Sequence, residues 1–163
     1  MHQQLILMRH GQATFEASSD YLRPLTEAGR DSVQRTAEHL QARQLPGNVV
    51  ILSSDTLRTR QSAEILARHC QIPTERIHTD PELYGATPGL WLKKIPEFLK
   101  HTPAEVLVCI GHNPTMSQLM AILTGQTTHM RAGAAALIDT QWQGSEVVLP
   151  GTLVDYFDPN QGG

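Results

Sequence analysis

Leu5-Ile6-Leu7-Met8-Arg9-His10-Gly11 is a short apolar run ended abruptly by two basic residues and a glycine. A run of this length suits a buried strand, whose polar end then falls at the carboxyl edge of a sheet, where the sites of open α/β proteins form. Gly11 lets the backbone turn sharply or approach a ligand closely, so Arg9 and His10 are expected at the start of a loop on a rigid support. Taken alone, the stretch fits a plain cationic strand end equally well. The segments downstream decide between the two.

Two later segments repeat the same logic. Asn48 to Ser54 is β-branched and apolar before turning polar, and Glu105 to Ile110 is a second buried-strand run that ends in Gly111-His112-Asn113-Pro114. Between the strands the period changes to that of a helix. Val33, Ala37 and Leu40 recur at i, i+4 and i+7, predicting a helix from a Thr26 cap to about Arg43, stopped by Pro46-Gly47. Leu57, Ile65 and Leu66 predict a second helix, capped by Asp55 and running to about His69. Arg58 and Arg60 then fall in its first turns, where a cation opposes the helix dipole unless an anion lies nearby.

A short strand is expected over Arg76 to Thr79, and a helix over Leu90 to Lys100, interrupted or restarted around Pro96. Met116, Leu119, Met120 and Leu123 form the stripe of a last helix, with Asn113 as cap and Pro114 at its first position. Late strands at Gly133 to Asp139, Glu146 to Leu149 and Leu153 to Tyr156 would finish the sheet, and the Gly162-Gly163 end is expected to fray. Strands alternating with helices imply a single three-layer α/β/α domain over 1–163, with a mainly parallel central sheet and helices on both faces.

Composition narrows the classes of function. At 163 residues the chain suits one domain able to bury a substantial core. A net charge of -3 gives no broad field for nucleic acid or an anionic membrane, so any anion site must be local. No segment approaches the roughly 20 consecutive apolar residues of a membrane span. The beginning carries no basic region followed by an apolar stretch and a cleavage site, so neither export nor membrane insertion is expected. Cys70 and Cys109, far apart in apolar segments, read as free thiols and favour a reducing, cytoplasmic setting. The eight histidines form no His-Glu-x-x-His motif or close pair, no Walker-type glycine loop is present, and neither cysteine has an arginine six positions on.

Three strand ends thus present Arg9-His10-Gly11, Ser54 through Arg58, and Gly111-His112-Asn113. Sharing one crevice, two arginines and two histidines would make a pocket for a dianion such as a phosphoryl group, because guanidinium forks match phosphate oxygens. Here the chain resembles the histidine phosphatase superfamily, the phosphoglycerate-mutase-like proteins, and within it the small bacterial phosphohistidine phosphatase branch of the SixA type. The resemblance rests on five matches in order. They are Arg9-His10-Gly11, Arg23-Pro24-Leu25-Thr26-x-x-Gly29, Ser54-x-x-x-Arg58-x-x-Gln61, Pro81-Glu82-Leu83 and Gly111-His112-Asn113-Pro114.

The resemblance implies that His10 is a nucleophile forming a phosphohistidine intermediate, with Arg9, Arg58 and His112 binding phosphoryl oxygens and Gly11 and Ser54 on the phosphate-binding side. It implies no metal or organic cofactor. The chemistry agrees, because neighbouring guanidinium charges lower the imidazole pKa and leave a lone pair for attack, and they also stabilise charge on the phosphoryl oxygens.

Some roles stay open. Ser54 either donates to phosphate or simply ends the strand, and Asp55, where proline commonly follows the serine, caps the helix, orients Arg58 or repels phosphate. Glu82 is either a proton donor to a leaving oxygen or a surface carboxylate. Phosphohistidine has less need of an acid, since its imidazole departs neutral when the other nitrogen carries a proton. The short segment between Gly85 and Glu105 leaves little room for a large lid, which favours a phosphohistidine presented on a phosphorelay or phosphocarrier protein. A small phosphoester is the alternative substrate, and a catalytically silent phosphate-binding adaptor the alternative class.

Overall fold

A computed structural model describes residues 1–161, and the expectation for Gly162-Gly163 lies outside them. The strands are β1 (His2–Arg9), β2 (Val49–Ser54), β3 (Ile77–Asp80), β4 (Val106–Gly111), β5 (Ala135–Gln143) and β6 (Glu146–Phe157). The helices are α1 (Glu27–Ala42), α2 (Leu57–Cys70), α3 (Pro88–His101) and α4 (Thr115–Thr124). One six-stranded sheet runs in the order β3-β2-β4-β1-β5-β6. The first four of that order pair in parallel, while β5 and β6 add an antiparallel flank.

Alternate side chains of the central strands go to opposite faces, and each face has its own core. Ile6 and Met8 of β1 join Ile51, Val108 and Ile110 beneath α1 and α2, where Val33, Ala37, Leu40, Ala63 and Leu66 close the layer. Leu5 and Leu7 join Val50, Leu52, Leu107 and Cys109 on the other face, under Trp91 and Ile95 of α3 and Met116, Leu119 and Leu123 of α4. Burial on both faces is why β1, β2 and β4 read as unbroken apolar runs rather than alternating ones. Both cysteines are free, Cys109 fully buried and Cys70 partly so.

Several local expectations are corrected. The cap of α2 is Thr56, whose hydroxyl accepts from the Thr59 amide, because the helix begins at Leu57 and leaves Asp55 one position too early. Pro114 stands at the cap position of α4 rather than inside it, while Asn113 Oδ1 still accepts from the Ser117 amide at 3.1 Å. α3 continues through Pro96 without interruption. A proline there forfeits one main-chain bond, and the buried Trp91, Ile95 and Leu99 on the opposite stripe hold the helix together. The last two predicted strands are one, β6, since Pro150 and Gly151 sit in an edge strand where register shifts against β5 absorb them.

Thr26 caps α1 as its sequence position predicts, accepting from the Gly29 amide at 2.9 Å. Gly29 has a separate reason for being glycine. A Cβ there would lie 2.1 Å from the Gln12 carbonyl oxygen, so the first turn of α1 touches the backbone that follows His10-Gly11. Gly11 is equally confined, with Val33 Cγ2 at 2.6 Å and the Gly29 oxygen at 2.9 Å from a built Cβ. Because both clashes involve backbone, Gly29→Ala should destabilise the fold by about 1–3 kcal/mol or more. A lowered urea midpoint with unchanged slope is the expected result.

Candidate active site

The parallel register of β1 with β4 pairs Arg9 with Gly111, so His10 and His112 emerge side by side at the carboxyl edge. Their ring centroids are 5.2 Å apart. β2, on the other side of β4, ends in Ser54, whose hydroxyl lies 2.9 Å from His112 Nε2. Arg58 enters from the first turn of α2. The structure therefore brings together Arg9, His10, Ser54 and His112 from three strand ends and Arg58 from the start of α2.

His10 is held from several directions. Its amide donates to the Gly111 carbonyl at 3.2 Å, its own carbonyl accepts from Gly133, and its Nδ1 lies 2.6 Å from the Gly11 carbonyl oxygen. A carbonyl only accepts, so Nδ1 carries the hydrogen and the in-plane lone pair resides on Nε2. Burial lowers the imidazole pKa to about 3, with His112, Arg58 and Arg9 adding to the effect against the opposing Gly11 bond. His112 is lowered to about 4, first by burial and then by Arg58. At neutral pH both rings are uncharged and His10 is a free base.

Each guanidinium is anchored by acceptors from another part of the chain. Arg9 Nη1 donates to the Met130 carbonyl at 3.0 Å, and Arg58 donates through Nη1 and Nη2 to the carbonyl and carboxylate of Asp20, at 2.7 and 3.1 Å. The Nε atoms of both arginines are buried without a hydrogen-bond partner. Unpaired buried donors are costly, and two of them beside two neutral imidazoles make a setting that an oxyanion would satisfy. Asp20 also supplies the anion that the position of Arg58 at a helix start called for.

The remaining predicted residues lie less directly on this centre. Ser54 is fully buried, and its contact with His112 positions that ring. The Gly11 amide donates to Ser62 Oγ at 3.1 Å and is thereby engaged. Glu82 is exposed on a short turn after β3 and pairs with Lys94 at 3.0 Å. Gln61 accepts from the Leu25 amide at 2.8 Å, which fastens the loop after β1 to α2. Asn113 donates to the same Met130 carbonyl that anchors Arg9. Among the described residues no group of three or more His, Cys, Asp or Glu is arranged to hold a metal ion, and no helix is long and apolar enough to cross a membrane.

Three participants escaped the sequence reading: Asp20, Tyr84 and the Met130 carbonyl. Asp20 and Tyr84 sit in loops with no periodicity, and a main-chain carbonyl carries no residue signature at all. An anion missing near Arg58 was the one available hint.

The mainly parallel sheet carries two histidines and two arginines at or beside its carboxyl edge, the setting of an α/β phosphatase, and the chain belongs to the histidine phosphatase superfamily (branch 1), whose family model matches residues 5–135. The chain is 33% identical over 132 residues to the phosphohistidine phosphatase SixA of Escherichia coli K12, covering 78% of each protein. It is 27% identical over 143 residues to an uncharacterised chloroplast protein of Arabidopsis thaliana, covering 82% of this chain and 65% of that one, so it spans less than two thirds of the plant protein. A solved structure of the protein histidine phosphatase SixA complexed with tungstate superposes with a TM-score of 0.77 at 26% identity, covering 96% of this chain and 97% of the other. The six-stranded α/β architecture is thus that of the phosphoglycerate-mutase-like fold.

A lowered imidazole pKa has a definite sign in kinetics: the free base persists as the pH falls. For a generic aryl phosphate, kcat/KM corrected for substrate ionisation should show no acid limb near the usual histidine value of about 6.5. The decline should begin only toward the His10 value of about 3. A limb near 6.5 would mean that His10 is not held neutral as described.

Proposed function

We propose that this phosphatase hydrolyses phosphohistidine on a phosphorelay or phosphocarrier protein, through a covalent phosphohistidine on its own His10. The observation that carries the reading is the His10 tautomer, with Nδ1 tied to the Gly11 carbonyl and Nε2 free beside two guanidinium groups whose buried Nε donors are unpaired. The chain's similarity to the SixA phosphohistidine phosphatase and protein histidine phosphatase supports the reading.

In the first half, the Nε2 lone pair of His10 forms a bond to phosphorus as the bond to the substrate imidazole breaks. That imidazole leaves neutral, provided its other nitrogen carries a proton. Arg9 and Arg58 take up charge on the phosphoryl oxygens in the transition state, with His112 beside them, and no metal is needed for that task. In the second half, water attacks phosphorus and loses a proton to solvent while the bond to His10 breaks. The hydrogen kept on Nδ1 by Gly11 lets His10 leave as a neutral ring, so one hydrogen bond serves both halves.

Two features favour a protein-borne substrate. Glu82, the obvious acid for an alkoxide leaving group, is turned into an ion pair with Lys94. The segment after Gly85 forms α3, which packs Trp91, Ile95 and Leu99 against the sheet instead of building a lid. A phosphorelay or phosphocarrier protein also fits a cytoplasmic setting.

The test compares metal-free hydrolysis of a phosphohistidine-bearing protein with that of an aryl phosphate, using wild type, His10→Ala and Glu82→Gln. The phosphoprotein should turn over faster, His10→Ala should lose activity by at least about a thousandfold, and Glu82→Gln should stay within about threefold. Preference for the ester with a large loss at Glu82 would assign a small phosphoester instead. Phosphate binding without any turnover would assign an adaptor.

A further inference from the structure

We infer that Asp20 is a positioning residue for Arg58, and that the loop between β1 and α1 is thereby part of the phosphate site. The inference rests on the reading of Arg58 as a phosphoryl ligand. Arg58 belongs to α2 and is almost fully buried, yet its partners come from a short turn at Asp20–Leu22, 38 residues earlier in the chain. Asp20 takes both terminal nitrogens of the guanidinium, Nη1 on its carbonyl and Nη2 on Oδ2. Nε is buried and unpartnered, and each terminal nitrogen keeps a second N–H. The orientation of the guanidinium, and with it of this unpartnered donor, is therefore set by Asp20.

Other contacts fix Asp20 itself. Arg23 Nη1 donates to Oδ1 at 2.9 Å, and the Tyr84 hydroxyl donates to Oδ2. These donors, with Arg58, hold the carboxyl ionised well below the usual carboxylate range. Arg23 in turn ties the loop to itself, donating through Nε to the Thr14 carbonyl and through Nη2 to that of Ala13. The base of the loop is pinned by an Ala13–Leu25 bridge and by Gln61 on the Leu25 amide. Tyr84 extends the clasp across the site, with its ring edge-on to His112 at a centroid distance of 5.7 Å. Asp20 thus couples the loop after β1, the turn after β3 and the first turn of α2.

An ionised carboxylate beside Arg58 also repels a phosphoryl dianion, so positioning and competition predict opposite results. Inorganic vanadate is the probe, with its dissociation constant measured alongside kcat and KM for an aryl phosphate. If Asp20 positions Arg58, Asp20→Ala weakens vanadate binding and lowers kcat by about tenfold or more, with KM changed less. Asp20→Asn, which keeps an acceptor oxygen for Nη2, recovers part of that loss, and Tyr84→Phe shows a smaller one. In an Arg58→Ala background Asp20→Ala has no further effect, within about twofold.

Vanadate bound as tightly or more tightly by Asp20→Ala would overturn the proposal and make the carboxylate a competitor. An equal loss with and without Arg58 would overturn it as well, as would failure of Asp20→Asn to recover any function while folded by circular dichroism. The binding arm needs no turnover. Coupling of Asp20 to Arg58 in an inactive protein sustains the positioning role and removes the phosphatase reading, whereas turnover without coupling does the reverse. A wild type that binds no vanadate overturns both.

Discussion

The parallel pairing of β1 with β4 is the constraint on which the site depends. Parallel strands cannot be joined by a tight turn, so about a hundred residues of crossover structure separate the two halves of the centre in sequence. The register then delivers His10 and His112 to the same edge, with the rings in contact range and the β2 terminus beside them. A slip of one residue would exchange the two core faces of every central strand. The packing of Leu5 and Leu7 against one helix layer, and of Ile6 and Met8 against the other, therefore fixes the geometry of the site as firmly as any contact within it.

A weakly acidic protein builds a cationic pocket by keeping the charges few and tying them down. Arg9 is tied through Nη1 to the Met130 carbonyl and Arg58 through Nη1 and Nη2 to Asp20, so neither is free to swing. The same low-dielectric surroundings that raise the value of those charges depress the two imidazoles. One local environment thus keeps His10 uncharged and leaves two buried guanidinium donors unpaired beside it. Glycine has a matching structural role, since Gly11 and Gly29 let the first loop lie against α1 with no side chain between them.

Periodicity exposed the layers, because burial on both faces imposes continuous apolar strands and burial on one side imposes helical stripes. It could not place helix starts to the residue. Asp55 and Thr56 are both competent caps, and only the path of the chain out of β2 makes Thr56 the one at the correct position. Proline was misleading for a related reason. Pro96 and Pro150 both weaken main-chain pairing, yet tertiary packing in α3 and an edge position in β6 tolerate them.

The sequence by itself determined the four parallel strands, the two-sided core and the residues with chemical capacity, His10, Arg9, Arg58 and His112. Those properties reside in residue type and spacing. Only the tertiary structure decided which nitrogen of His10 carries the lone pair, which donors remain open, that Glu82 is engaged by Lys94, and that Asp20 holds Arg58. Each of these is a hydrogen bond between groups whose meeting depends on where separate loops come to rest, and loop positions follow from the packing of the whole sheet.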